Sequence, residues 1–316
     1  MKKRKLGTTE IYVTEIGLGT NAVGGHNLYD NLSEERGVAL VRRAVELGVN
    51  FIDTADIYGL GRSEELVGQA LQGRRGEVVL ATKGASEWDA AGRRVGVNNR
   101  PEYLRRALEA SLRRLGTDYV DLYYLHRIDG AVPLCDSFGE LQKLKAEGKI
   151  RAVGLSNVTV PQLQAAMCAG TIDAVQNEYS LFQREAEEDV LPFCEDNDIS
   201  FIPYGPLAYG LLAGRYDRGF RLTPNDWRHR VPFFDAKNFG KLLDRVDDLK
   251  EIAATLHHSL PHLAIRWALR HRMVSSVIAG AKNPDQVDDN AAAVDWDLTD
   301  AEIDAVDEVT ADLHYS

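Results

Sequence analysis

Eight short apolar runs alternate along this chain with stretches of helical periodicity, and few architectures accept that order. The runs fall at residues 16–19, 50–53, 78–83, 119–125, 152–155, 174–176, 200–204 and 275–279. Most are β-branched or apolar with little polar alternation, the pattern of strands buried on both faces. Amphipathic segments lie between them at 33–47, 100–115, 134–146, 160–169 and 186–197. In the third, Leu134, Phe138, Leu141 and Leu144 share one face, while Glu140, Lys143 and Glu147 take the other. Ser33 ahead of Glu34 and Glu35 reads as a helix start, and Gly48 and Gly148 as helix ends.

Eight strands with helices between them predict an α/β fold of the (β/α)8 TIM-barrel type, one domain over residues 1–316. A doubly wound open sheet is the rival arrangement. Its dinucleotide fingerprint is met only by Gly17-Leu18-Gly19 with Ala22 in the third place, and Gly24-Gly25 is a poor opening for the helix that must follow. One interval is out of scale: the strand starts at 200 and 275 lie about 75 residues apart, against roughly 22–41 elsewhere. It holds helical patterns at 241–256 and 260–270. It also holds an irregular piece, 205–239, rich in aromatics (Tyr209, Tyr216, Phe220, Trp227, Phe233 and Phe234). A loop of that length after strand seven is expected to act as a flap over the barrel mouth and its ligand; a surface insertion is the plainer alternative.

With 37 Lys and Arg against 48 Asp and Glu, the net charge of −11 opposes binding to a nucleic-acid backbone. No run approaches the roughly 18 apolar residues of a membrane span, and no apolar stretch follows the basic start at Lys2–Lys5 that would make a secretory signal. Cys135, Cys168 and Cys194 are few, widely spaced and odd in number. That fits reduced thiols in a cytoplasmic protein rather than a disulfide framework.

In a barrel of this kind, reactive side chains stand at the C-terminal ends of strands and in the loops that follow. The second run ends at Asp53, with Tyr58 in the loop beyond it. The third ends at Lys83, and the fourth leads into His126. Consecutive strands thus deliver a carboxylate, an ammonium and an imidazole to one rim, with a phenol in reach. Each has a plain reading by itself: Asp53 as a loop cap, Tyr58 as a packed aromatic, Lys83 as a solvated charge, His126 as a structural histidine. Their conjunction is more telling, because a buried lysine and a buried aspartate need each other. A phenol ordinarily titrates near 10, and a neighbouring ammonium is expected to lower the Tyr58 value while Asp53 orients that ammonium. His126 would hydrogen-bond the same substrate oxygen. Such a group can protonate an oxyanion growing on a carbonyl, and the hydride must come from a nicotinamide cofactor. The motifs of serine hydrolases, P-loop proteins, zinc proteases and EF-hands are absent, and Pro261 interrupts the His258/His262 pair, so no metal is expected.

At these residues the chain resembles the aldo-keto reductase family, and the likeness runs from Ile16-Gly17-Leu18-Gly19-Thr20 to Asn290. Its most specific part is Phe51-Ile52-Asp53-Thr54-Ala55-Asp56-Ile57-Tyr58-Gly59, followed by Ser63-Glu64-Glu65. Lys83 and His126 complete what looks like the family's catalytic tetrad with Asp53 and Tyr58. The resemblance implies an NADP(H)-dependent oxidoreductase of aldehydes, ketones or alcohols, acting on a small molecule without a metal. It places Thr20, Asn21 and Asp53 near the nicotinamide ribose, Ser156, Asn157 and Gln176 on the carboxamide, and Tyr204 against the ring. Gly205-Pro206-Leu207 and the stretch to Gly214-Arg215 match the loop over the pyrophosphate; Gly280, Lys282, Gln286, Asp289 and Asn290 match the adenosine end. Many animal members have Lys-Ser where this chain has Gly280-Ala281, and Arg in place of Gln286. Lys282 and Arg215 are then left to hold a 2′-phosphate, so NADP(H) is favoured and NAD(H) stays open. The substrate pocket is expected from Tyr58, Trp88, His126 and Ile128 with the variable loops 21–31 and 205–239. The potassium-channel β subunits of the family suggest the alternative of a cofactor-sensing regulatory subunit; they carry Asn where this chain has His126, which favours an enzyme.

Overall fold

Period-two alternation in the strands builds a core and a rim from the same residues. Phe51, Val79, Ala81, Leu122, Tyr124, Ala152, Ala174, Ile202 and Ile278 pack together inside the barrel. Their outward neighbours Ile52, Leu80, Tyr123, Leu125, Val153, Leu155, Val175, Phe201 and Val277 pack against the helices in a second, larger core. Continuing the inward phase to the strand ends brings Asp53 and Lys83 together at one end of the barrel.

The computed structural model describes residues 1–89, 91–224 and 226–313. Its eight barrel strands are β1 (Ile16–Gly19), β2 (Phe51–Asp53), β3 (Val79–Gly84), β4 (Val120–Leu125), β5 (Ile150–Ser156), β6 (Ala174–Gln176), β7 (Ser200–Phe201) and β8 (Val277–Gly280). They pair in parallel in the order β7-β6-β5-β4-β3-β2-β1-β8. Bridges Phe201–Val274 and Tyr204–Ile278 close the ring between β7 and β8. The fold is the expected (β/α)8 barrel.

Besides a single turn at Asn21–Gly24, the helices up to β7 are α1 (Glu34–Glu46), α2 (Arg62–Ala70), α3 (Pro101–Leu115), α4 (Leu134–Ala146), α5 (Val160–Ala166) and α6 (Val190–Asp196). After β7 come α7 (Ala236–Thr255) and α8 (Leu260–Ala268), and after β8 come α9 (Pro284–Ala292) and α10 (Asp300–Thr310). Ser33 caps α1 by accepting the Arg36 N–H, as its position implied. Helix α4 has the bounds that its apolar spacing sets. No helix among the described residues is long and apolar enough to cross a membrane.

Three features depart from the sequence reading. An N-terminal hairpin, Lys3–Lys5 against Tyr12–Thr14, packs Leu6, Ile11 and Val13 with the inward residues and plugs the end of the barrel at which the strands begin. A second hairpin, Ser86–Trp88 against Arg94–Val97, follows β3. Cys135 and Cys168 are bonded as a disulfide joining α4 to the turn after α5, where separate reduced thiols were expected. Packing of neighbouring helices brings their Cα atoms to 5.7 Å, a proximity that a separation of 33 residues does not announce. Cys194 is free and buried.

Candidate active site

The β2 and β3 ends meet in an ion pair out of reach of water. Lys83 and Asp53 are 1% and 2% exposed, and the ammonium bonds the Asp53 carboxylate and donates to the Thr54 carbonyl at 2.9 Å. Gln176 Nε2 donates to the other Asp53 oxygen at 3.0 Å. Burial works to strip the Lys83 proton, but Asp53 and Tyr58 more than offset it, and the net direction is up. The ammonium therefore stays charged, 5.3 Å from the centre of the Tyr58 ring.

Tyr58 is held by the loop around it. Gly59 has φ +61°, and a Cβ there would lie 1.9 Å from the Gly24 carbonyl oxygen, so this contact admits only glycine. Asn27 Oδ1 accepts the Gly59 N–H at 2.7 Å. On α2, Ser63 donates to the Thr20 carbonyl at 2.9 Å, and buried Glu64 accepts the Thr82 hydroxyl at 2.6 Å and the Arg114 guanidinium at 2.7 Å. The acids and hydroxyls after Tyr58 thus brace its loop against β1, β3 and α3.

The net direction of the Tyr58 shift is upward, where the sequence reading expected a fall. Loss of water around the hydroxyl outweighs the lowering by Lys83. The phenol is neutral across ordinary pH and has a proton to give. His126 meets Tyr58 edge to face at 6.3 Å. Burial first, then Lys83, Arg127 and Arg94, hold its imidazole well below the usual histidine range, so it is neutral as well. A neutral imidazole can donate one N–H to a substrate oxygen. Asp56, next to this group in the loop, is a buried carboxyl whose two oxygens have no partner; burial, then Glu64, push it well above the carboxylate range.

These groups open into a cleft of about 480 Å³ that runs from Tyr58 and His126 to Asp289 and Asn290. Of the residues expected to hold a cofactor, all but Gly214 line it. Ser156 donates to the Gln176 carbonyl at 2.8 Å, Asn157 donates to Ser156 and to the His126 carbonyl, and Tyr204 donates to Asn157 Oδ1 at 2.8 Å. One hydrogen-bonded net thus ties the ends of β4, β5 and β6 to Tyr204. At the far end Gln286 accepts the Lys282 N–H at 2.7 Å, and Asp289 contacts His262 Nε2 at 2.9 Å. Arg215 and Lys282 line the cleft and make no ion pair among the described residues, and Lys282 lies 4.7 Å from the centre of the Tyr29 ring.

Two expected pocket residues are absent from the wall. Trp88 sits on the second hairpin opposite Arg94, and Ile128 packs against the outer core. Leu28, Tyr29, Arg127, Tyr209, Tyr216, Trp227 and Arg228 take part in the wall instead. Tyr29, Trp227 and Tyr209 meet edge to face at 6.4 and 5.1 Å, joining the β1 loop to the flap. Arg228 braces the flap by bonding Asp226 and Tyr216. The aromatic richness of 205–239 was a visible signal for the flap wall, and Tyr29 lies in the 21–31 loop, one of the variable loops expected to shape the pocket.

The chemistry of this lining suits a dinucleotide. Unpaired cations stand at one end, α9 begins directly after Gly280–Lys282, and the neutral acid Tyr58 stands at the other end. The model of the aldo/keto reductase family matches residues 15–311. An NADH-specific methylglyoxal reductase of Escherichia coli is 36% identical, covering 96% of both chains. An aldo-keto reductase of Schizosaccharomyces pombe, named for NADP(+), is 35% identical over 95% of this chain and 88% of its own. Among solved structures, a glycerol dehydrogenase of Gluconobacter oxydans superposes with a TM-score of 0.91 at 33% identity, covering 98% of this chain and 95% of its own.

Proposed function

The chain belongs to the aldo/keto reductase family, and from that premise we propose an NADP(H)-preferring reductase of small aldehydes and ketones in which Tyr58 is the general acid. The observation that carries this reading is the neutral Tyr58 phenol beside the buried Lys83–Asp53 pair, at one end of a dinucleotide-sized cleft. Bound nicotinamide supplies the hydride that no side chain can. Tyr58 gives its proton to the carbonyl oxygen, and Lys83 steadies the phenolate left behind. Asp53 keeps Lys83 charged and fixed, while His126 donates a hydrogen bond to the same oxygen and orients the carbonyl.

The preference for the 2′-phosphate rests on Lys282 and Arg215, cations of the cleft that make no ion pair among the described residues. One named relative is NADH-specific and another is named for NADP(+), so the chain's own residues carry this part of the reading. The test is a panel of aldehydes and ketones with NADPH and NADH, followed by loss of reduced-nicotinamide absorbance. Turnover with a higher kcat/KM for NADPH is expected. Cofactor binding with no turnover on any carbonyl would show a sensing subunit instead.

A further inference from the structure

Among the described residues, three cations that line the cleft make no ion pair: Arg215, Lys282 and Arg127. The first two stand at the end read as holding cofactor phosphates. Arg127 does not, because it follows His126 directly at the end of β4, where the carbonyl must lie. Its backbone is pinned on both sides: Asn99 Nδ2 donates to the Arg127 carbonyl at 3.0 Å, and Asn157 Nδ2 to the His126 carbonyl at 3.1 Å. Its side chain is exposed and makes no hydrogen bond among the described residues.

The acids nearby are poor partners for it. Asp129 spends its carboxylate on the backbone N–H groups of Asn99, Ala131 and Val132. Asp53 is locked to Lys83. Glu178 feels the Arg127 charge without bonding it among the described residues, and its carboxyl is hydrogen-bonded to Tyr209. Arg94, exposed on the second hairpin, also makes no ion pair and adds positive field at His126. A chain of net charge −11 thus keeps an open guanidinium beside its reacting groups.

Resting on the carbonyl-reductase reading, we infer that Arg127 receives a carboxylate on the substrate, so that the preferred substrates are aldehydes or ketones that also carry an acid group. A guanidinium takes a carboxylate through two parallel N–H donors, and a charged hydrogen bond of this kind corresponds to about 10–100-fold in kcat/KM.

The probes are 4-carboxybenzaldehyde and its neutral methyl ester, which share one reacting aldehyde. The native protein is expected to prefer the acid by about 10–100-fold, with the ratio falling as KCl is raised. In Arg127→Ala the ratio falls to about one, and Arg127→Lys keeps part of it, since an ammonium retains the charge without the fork. Equal use of acid and ester by the native protein overturns the inference and leaves the reductase reading standing; so does an acid preference that survives in Arg127→Ala. Failure to reduce either aldehyde, or any other carbonyl, overturns both.

Discussion

At the Tyr58 end of the cleft the charges inside the barrel are paired and only Arg127 stands open at the rim, whereas at the flap end the lining cations Lys282 and Arg215 stand open. Lys83 and Asp53 sit on strands, with no access to water, and hold each other. Lys282 and Arg215 sit beyond a strand end and on a flap, unpaired. The first arrangement is finished without a ligand, and reaction chemistry needs such preorganisation. The second is completed by what binds, which is how loops carried on a rigid barrel set specificity.

The largest expected effect breaks the finished end at its proton. Tyr58→Phe removes the only hydroxyl that the tetrad offers, and kcat should fall about 10²–10⁴-fold. Cofactor affinity, read by fluorescence titration, should hold, because the net of Asn157, Ser156 and Tyr204 proposed to hold the cofactor does not pass through Tyr58. Turnover near the native rate would move the acid elsewhere. The second effect is on stability. Lys83→Met leaves Asp53 buried without its partner, which costs about 3–5 kcal/mol of unfolding free energy in urea melts. Adding Asp53→Asn to that variant should recover part of the loss; an additive penalty would mean the two residues do not act as a pair.

The contrast between the two ends also separates what the sequence made legible from what it hid. Asp53 and Lys83 could be read because strand alternation fixes which residues face inward, and a chain with eight recognisable strands fixes where those residues end. Thr20, Asn157 and Tyr204 were named through the resemblance to a family, and they line the cleft. The net direction of the Tyr58 shift was hidden, since it is decided by how much water the folded site excludes. The contact of Tyr29 with Trp227 was hidden, because it joins two loops far apart in sequence. Trp88 looked like a pocket wall and instead serves a local hairpin. The Cys135–Cys168 bond depends on helix packing across the outer layer, which no local pattern encodes.

A smaller effect sharpens the open end. Lys282→Ala should raise the KM for NADPH by about tenfold and leave that for NADH nearly unchanged, since one charged contact to a phosphate corresponds to about that factor. Arg215→Ala should act in the same direction, and the pair together should equalise the two cofactors. Equal losses for NADPH and NADH in Lys282→Ala would place the lysine on a group that both cofactors share.

The smallest effect tests whether the finished end is finished with respect to protons. His126 has its folded value well below the histidine range, with burial as the first cause and the nearby cations after it. The unfolded chain then takes up a proton that the folded chain refuses, so stability is complete above the unfolded value near 6.5 and falls as the pH drops below it. A single group of this kind contributes at most about 1.4 kcal/mol per pH unit. Urea melts of the native protein and of His126→Gln, compared between about pH 7 and pH 5, should show a shallower loss in the variant, because glutamine has no proton to refuse. Parallel losses would mean that His126 titrates normally, and the neutral imidazole that orients the carbonyl would have to be given up.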